Sequence, residues 1–251
     1  MRITYLGHAT ILIELDGTKV LTDPLLRRRV MHLRRVAPDV TDAQLAGTEL
    51  VLISHAHHDH LDVRSLRRLG GTPRVFCPEP ARRAVGSAGL QPEVMAAGGF
   101  ARAGAIEVEA VSAAHDGRRF PHDRRSDALG YVLRAAGGSV YFAGDTGWFE
   151  EIGEVGEVDV ALLPVAGWGP RLGPGHLDPG EAARAAALIR PRVVIPIHWG
   201  TYERVRMNTS GHRSDPARRF CDQVAELAPG VDAELLAPGA SLEVAPASSS
   251  A

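Results

Sequence analysis

The chain has 251 residues, a formal net charge of -2 and 23% charged residues, a balance that speaks against bulk binding to nucleic acid or to an anionic membrane. Its 45% hydrophobic residues suffice for a sizeable core, yet no apolar run is long enough to span a membrane. The two cysteines, Cys77 and Cys221, form no Cys-x-x-Cys pair, which argues against a thiolate zinc site.

Residues 3–6, 10–15 and 19–22 read as short strands, with Asp16-Gly17 as a hairpin turn. The arginine-rich stretch 27–35 reads as a loop or short helix near a site entrance. Residues 41–45 predict a short capped helical turn, and the aliphatic run 50–53 a buried strand. Asp62 caps a helix expected over 63–69, stopped by Gly70-Gly71. Strand resumes at 74–77, and 80–85 suggests a helix. Residues 106–112 alternate apolar and acidic side chains, the pattern of a half-buried strand. Residues 128–133 and 140–143 form a strand pair around Gly137-Gly138, and 158–164 is a largely buried strand. Asp178-Pro179 opens a helix through residue 189. A buried strand follows at 193–197. The last long helix is expected from Ser214 to about residue 229, with closing strands at 233–236 and 241–244. The tail 245–251 is expected to be disordered. No linker, repeat or low-complexity block interrupts residues 1–244, which predicts one domain of two sheets with helices outside. The N-terminus enters a strand pattern without a signal-peptide core, and with so few cysteines the expectation is a cytoplasmic protein. Lys19 is the sole lysine; with the abundant alanine this reflects composition bias and carries no function.

The run Ser54-His55-Ala56-His57-His58-Asp59-His60 directly follows the apolar strand. Imidazole and carboxylate are standard ligands for divalent metals. Alternate residues His55 and His57 can face one ion while Asp59 and His60 turn toward a second. A terminal tag or a solvated loop is the plainer source of clustered histidines, but a tag does not follow a buried strand. Three further metal-capable side chains sit after strand-like runs: His115, Asp145 in Ala-Gly-Asp-Thr-Gly, and His198 in Ile-Pro-Ile-His-Trp. Any one alone is better read as a structural polar residue; the repetition of strand then ligand raises them together.

The pattern His-x-His-x-Asp-His, followed at a distance by His, Asp and His, resembles the signature of the metallo-β-lactamase fold. Gly7-His8-Ala9-Thr10, Thr22-Asp23-Pro24, Pro174-Gly175-His176-Leu177-Asp178-Pro179 and His198-Trp199 are similar to one branch of it. That branch contains phosphorylated-ascorbate lactonases and N-acyl phosphatidylethanolamine phospholipase D. The resemblance runs from residue 3 to the strand after residue 231. It implies an α+β fold, a four-layer αββα sandwich of two mixed β-sheets with helices on the outer faces. It also implies His55, His57 and His115 on one metal, Asp59, His60 and His198 on the second, and Asp145 bridging. Zinc is the first expectation, with manganese or iron as alternatives. His58 occupies a variable position and is left out. Asp59 and His176 are the expected catalytic residues, His176 as a substrate-contacting or acid group. Asp62 either orients a ligand imidazole or only caps a helix, and His8 and Asp23 are expected in support.

Two cations about 3.5–4 Å apart can share a water and lower its pKa. The expected reaction is therefore hydrolysis of a phosphodiester, lactone or related ester of a small or lipid-like, phosphate-bearing substrate. Arg118, Arg119, Arg124 and Arg125 follow His115 closely and can grip a phosphate, unless they form an ordinary solvated loop. A nuclease of the same fold is the alternative enzyme, but the interval from Asp145 to His198 is too short for a nucleic-acid clamp. A metal-binding sensor or scaffold without turnover is the alternative of a different class.

Overall fold

Aliphatic runs separated by Gly- and Asp-containing turns build two seven-stranded mixed sheets. The computed structural model describes residues 1–30, 32–120, 122–167, 172–204 and 215–246. In spatial order the first sheet contains Ser241–Glu243, Arg2–Gly7, Thr10–Leu15, Thr18–Thr22, Leu50–Leu52, Arg74–Cys77 and Pro92–Val94. The second contains Asp232–Ala233, Val193–Ile197, Val160–Pro164, Gly138–Phe142, Asp127–Ala135, Ile106–Asp116 and Phe100–Ala103. Each sheet is antiparallel in one half and parallel in the other. The parallel strands Val160–Pro164 and Val193–Ile197 are buried along their whole length, as strands covered on both faces must be.

The inner faces of the two sheets meet in one cluster. Tyr5, Ile11 and Ile13 from the first join Val108, Tyr131 and Leu133 from the second. Leu45, Leu66 and Val85 of the helices Asp42–Leu45, Val63–Leu66 and Arg82–Ser87 pack with Val51 and Val75 on the first sheet's outer side. Pro179–Ile189 and Asp215–Leu227 cover the second sheet. The result is the expected α+β sandwich with helices outside. Each fully buried large side chain, such as Tyr5, Phe76 or Phe142, contributes about 1.5–3 kcal/mol by leaving water.

Helix Pro179–Ile189 begins where its sequence dictates. The Asp178 side chain accepts from the Glu181 amide, the Glu181 side chain accepts in return from the Asp178 amide, and Pro179 loses no bond at N1. The helix after Asp62 is shorter than expected, Val63–Leu66; beyond it the chain tightens to i→i−3 bonds, Arg68 N to Ser65 O and Leu69 N to Leu66 O, with Leu69 still buried against the same core. Ser214, the expected start of the last helix, and residues 247–251 of the tail lie outside the described residues.

The stretch 27–35 forms neither a loop throughout nor a helix. Arg29–Val30 and Leu33–Arg35 are strands of a small third sheet completed by Tyr202–Arg204. The clue lies in Arg35, a buried cation whose guanidinium donates to the carbonyls of Leu6, Leu25 and Pro38. Arginine runs read as solvated; only the tertiary fold supplies carbonyls that can hold one inside. Pro92–Val94 and Phe100–Ala103 were likewise not expected as strands; short edge strands lack a strong alternating pattern. Among the described residues no helix is long and apolar enough to cross a membrane.

Candidate metal centre

Six strands end at one rim of the sandwich and carry the polar residues there. His8 follows Arg2–Gly7, Asp23 follows Thr18–Thr22, and residues 54–60 follow Leu50–Leu52. From the other sheet come His115 at the end of Ile106–Asp116, Asp145 beyond Gly138–Phe142, and His198 beyond Val193–Ile197. The two rims are stitched together. The Tyr131 hydroxyl donates to Ile53 O at 2.8 Å, Leu129 N to Ser54 O at 2.9 Å, and Ala56 N to Gly117 O at 3.1 Å. The histidine run is thereby held against the sheet that brings His115.

Two groups of donors result. In the first, His57 Nδ1 lies 2.9 Å from His55 Nε2 and 3.1 Å from His115 Nε2. The chain then turns, with the amides of His60 and Leu61 donating to His57 O, and delivers Asp59 and His60 to the second group. There His60 Nε2 is 3.3 Å from His198 Nε2 and 3.6 Å from Asp59 Oδ2. Asp145 lies between the groups, its Oδ2 3.2 Å from His60 Nε2 and its Oδ1 3.3 Å from His198 Nε2. All seven side chains expected as ligands are thus brought together. Both groups satisfy the geometry of sites that could hold a metal ion.

The imidazoles are aimed by their other nitrogens. Nδ1 of His60 meets Asp23 Oδ2 at 2.7 Å, that of His115 meets Gly175 O at 2.8 Å, and that of His198 meets Ala166 O at 2.8 Å. Each ring that donates through Nδ1 keeps Nε2 for the centre, the arrangement that fixes a ligand tautomer. Asp23 itself is held by Ser54, whose amide donates to Oδ1 at 2.7 Å and whose hydroxyl donates to Oδ2. His8 Nε2 lies 3.1 Å from Asp59 Oδ2. His8, Asp23 and His198 all adopt left-handed backbone, at φ 58°, 32° and 67°. Each such L-residue costs about 1–2 kcal/mol, and strain concentrated in three residues of one rim is the mark of a functional site.

The electrostatics ask for a cation. Oδ1 of Asp145 is buried and accepts no hydrogen bond, a costly state for a carboxylate. Burial opposes its charge, yet His198, His60 and His176 hold it well below the usual carboxylate range. Burial likewise opposes charge on His60, but Asp145, Asp59 and Asp23 together raise it well above an ordinary imidazole. His57 is pushed down to about 4 by burial and by His115 and His60. His198 is pushed down to about 3 by burial, with His8 and His60 adding to it. The lowered imidazoles of His55, His57, His115 and His198 beside an under-satisfied carboxylate match the chemistry of a divalent metal.

The remaining candidates separate clearly. The His58 ring turns away onto Phe120, and its Nδ1 accepts from Arg119. Asp62 caps helix Val63–Leu66 through Ser65 and pairs with Arg27; among the described residues it forms no hydrogen bond or ion pair with the seven side chains. His176 stands at the mouth, its Nε2 3.4 Å from Asp145 Oδ2 and its ring beside His115. Arg118 and Arg125 converge on Asp116, while Arg119 points inward. The contact of His8 with Asp59 was missed as a specific pair; the sole signal was a histidine flanked by Gly7 and Ala9 at a strand end.

The model of the Beta-lactamase superfamily domain matches residues 18–199. A protein of Methanopyrus kandleri named as a metal-dependent hydrolase is 37% identical over 250 residues, covering 97% of this chain and all of the relative. The chain belongs to the metallo-β-lactamase superfamily. Within it, an N-acyl-phosphatidylethanolamine-hydrolyzing phospholipase D of Caenorhabditis elegans is 31% identical over 240 residues, 85% of this chain and 67% of the relative. A solved superfamily structure, a metallo hydrolase from Ignicoccus hospitalis, superposes with a TM-score of 0.70 at 26% identity, covering 97% of this chain and 98% of that one.

Proposed function

We propose that the chain is a metal-dependent hydrolase with a dinuclear centre. His55, His57 and His115 would hold one divalent ion, Asp59, His60 and His198 the other, and Asp145 would serve both. Zinc suits this donor set best, with manganese or iron as alternatives. The observation that carries the reading is Asp145: a buried carboxylate between two groups of imidazoles, with one oxygen lacking any hydrogen bond.

When bound, the ions would supply an activated water and positive charge for the developing oxyanion. The chain's own groups do the rest. Asp23, Gly175 O and Ala166 O keep the imidazole rings oriented. Asp59, steadied by His8, would accept a proton from the nucleophile. His176 at the mouth can deliver a proton to the leaving group, since burial opposes its charge but Asp145 raises its pKa.

The substrate class we favour is a phosphate-bearing, small or lipid-like ester. The phospholipase D relative supports it by its name; the arginines after His115 add little, since Arg118 and Arg125 pair with Asp116 and Arg119 turns inward. Two cysteines without a disulfide suit a reducing cytoplasm. Purified, zinc-saturated protein should carry two ions per chain; a ceiling of one overturns the dinuclear centre. Hydrolysis of bis-p-nitrophenyl phosphate or a lactone should vanish in Asp59→Ala. Activity unchanged by that substitution overturns the mechanism.

A further inference from the structure

Arg119 does something other than grip a ligand. Its Nη1 donates to Ala56 O at 2.9 Å and to Leu61 O at 3.1 Å, and its Nη2 donates to His58 Nδ1 at 3.2 Å. Those acceptors flank and interrupt the stretch that carries His57, Asp59 and His60. The side chain is half-buried and, among the described residues, forms no ion pair with a carboxylate. A guanidinium that gives up water for two carbonyls and one imidazole is committed to shaping that loop.

The loop is tied to the same segment from its other side, since Ala56 N donates to Gly117 O at 3.1 Å. Gly117 and Arg119 follow His115 on one continuous segment. A run from the first sheet and a donor from the second are thereby locked in register by a side chain that touches neither ion site.

We propose that Arg119 is a positioning residue, a clamp that closes the 56–61 loop and sets how tightly and how long the centre holds its metal. The proposal rests on the reading of that loop as metal-binding. It assigns Arg119 a role distinct from Arg118 and Arg125, which pair with Asp116.

The test compares zinc affinity, by competition with a chromophoric chelator, and zinc release rate in wild type, Arg119→Ala, Arg119→Lys and Arg134→Ala. Arg134 is the control for a merely structural loss. It also bridges two carbonyls, Glu157 O at 2.9 Å and Val155 O at 3.0 Å, but outside the centre. Arg119→Ala should bind zinc about tenfold or more weakly, the scale of lost support around a metal ligand, and release it faster. Arg119→Lys should recover part of both, and Arg134→Ala should match wild type. Wild-type affinity and release in Arg119→Ala overturn the clamp, as does equal weakening in Arg134→Ala. If Arg119→Ala does not fold, Arg119→Gln, which offers one amide in place of the fork, carries the same comparison. A wild-type chain that takes up no zinc, manganese or iron removes the metal reading itself, a different failure from a clamp without effect.

Discussion

The Nδ1 of His60 lies 2.7 Å from Oδ2 of Asp23, 37 positions earlier in the chain, with both side chains fully buried. Burial pulls the Asp23 carboxyl upward, and hydrogen bonds from His60 and Ser54 oppose that. Asp23→Asn keeps a side chain that tolerates the left-handed backbone at φ 32°. Its two terminal atoms, however, now face three donors with only one acceptor: Ser54 N, the Ser54 hydroxyl and His60 Nδ1–H. Metal affinity should fall by about 10–100-fold, read by chelator competition. Unchanged affinity means that Asp23 does not orient His60.

His176→Gln should separate chemistry from metal binding. The ring stands at the mouth, 3.4 Å from Asp145. If it delivers the leaving-group proton, kcat should drop by about 100-fold or more while two metals remain per chain. Loss of metal with activity would instead make it a ligand.

His58→Ala should leave metal stoichiometry and turnover at wild-type levels. The ring packs on Phe120 and accepts from Arg119, away from both donor groups. A missing metal in this variant, measured by elemental analysis, would contradict its exclusion from the centre.

Chelated, metal-free protein should lose stability on acidification. His8, His55, His57, His58, His115 and His198 are all lowered, chiefly by burial, whereas His60 and His176 are raised. The unfolded histidines take up protons near pH 6.5, while His57 resists until about 4 and His198 until about 3. The unfolded state therefore binds more protons in this window, so stability rises with pH and falls from about 6.5 toward 4. His60 and His176 act in a different window: their contribution is complete below 6.5 and is lost as pH rises above it, so it does not offset the fall toward 4. Asp59 and Asp145, held well below 3.8, lose their contribution only at lower pH. Urea titrations with chelator across this range check the sign; stability flat or rising toward acid refutes it.

Gly117→Ala tests the seam between the sheets. A Cβ there would sit 2.9 Å from His55 Cβ and 3.2 Å from Asp127 O. Relief requires backbone movement, costing about 1–3 kcal/mol, and it displaces a ligand loop. Lower urea midpoints together with weaker metal binding are expected; wild-type values in both would show the seam to be slack.

Much was legible in the linear sequence because it was local. The run after Leu50–Leu52 carries its ligand chemistry within a few residues, and Asp178 with Glu181 writes its own helix start. The strand-then-ligand repetition marked His115, Asp145 and His198, because aliphatic runs declare buried strands and a polar residue at their ends must meet a rim. What the sequence by itself determined, then, was the class of fold and which side chains are candidate donors.

Tertiary structure alone decided which donors meet and what supports them. The pairs His60 with Asp23, His57 with His115 and His8 with Asp59 join distant segments, and no periodicity encodes them. It also decided that Arg35 and Arg119 turn inward, against the ordinary preference of arginine for water, because folding gathers backbone carbonyls that neither local pattern reveals. Side-chain type sets what a residue can do; the packing of two sheets sets the partners and the orphaned Asp145 oxygen that give it something to do.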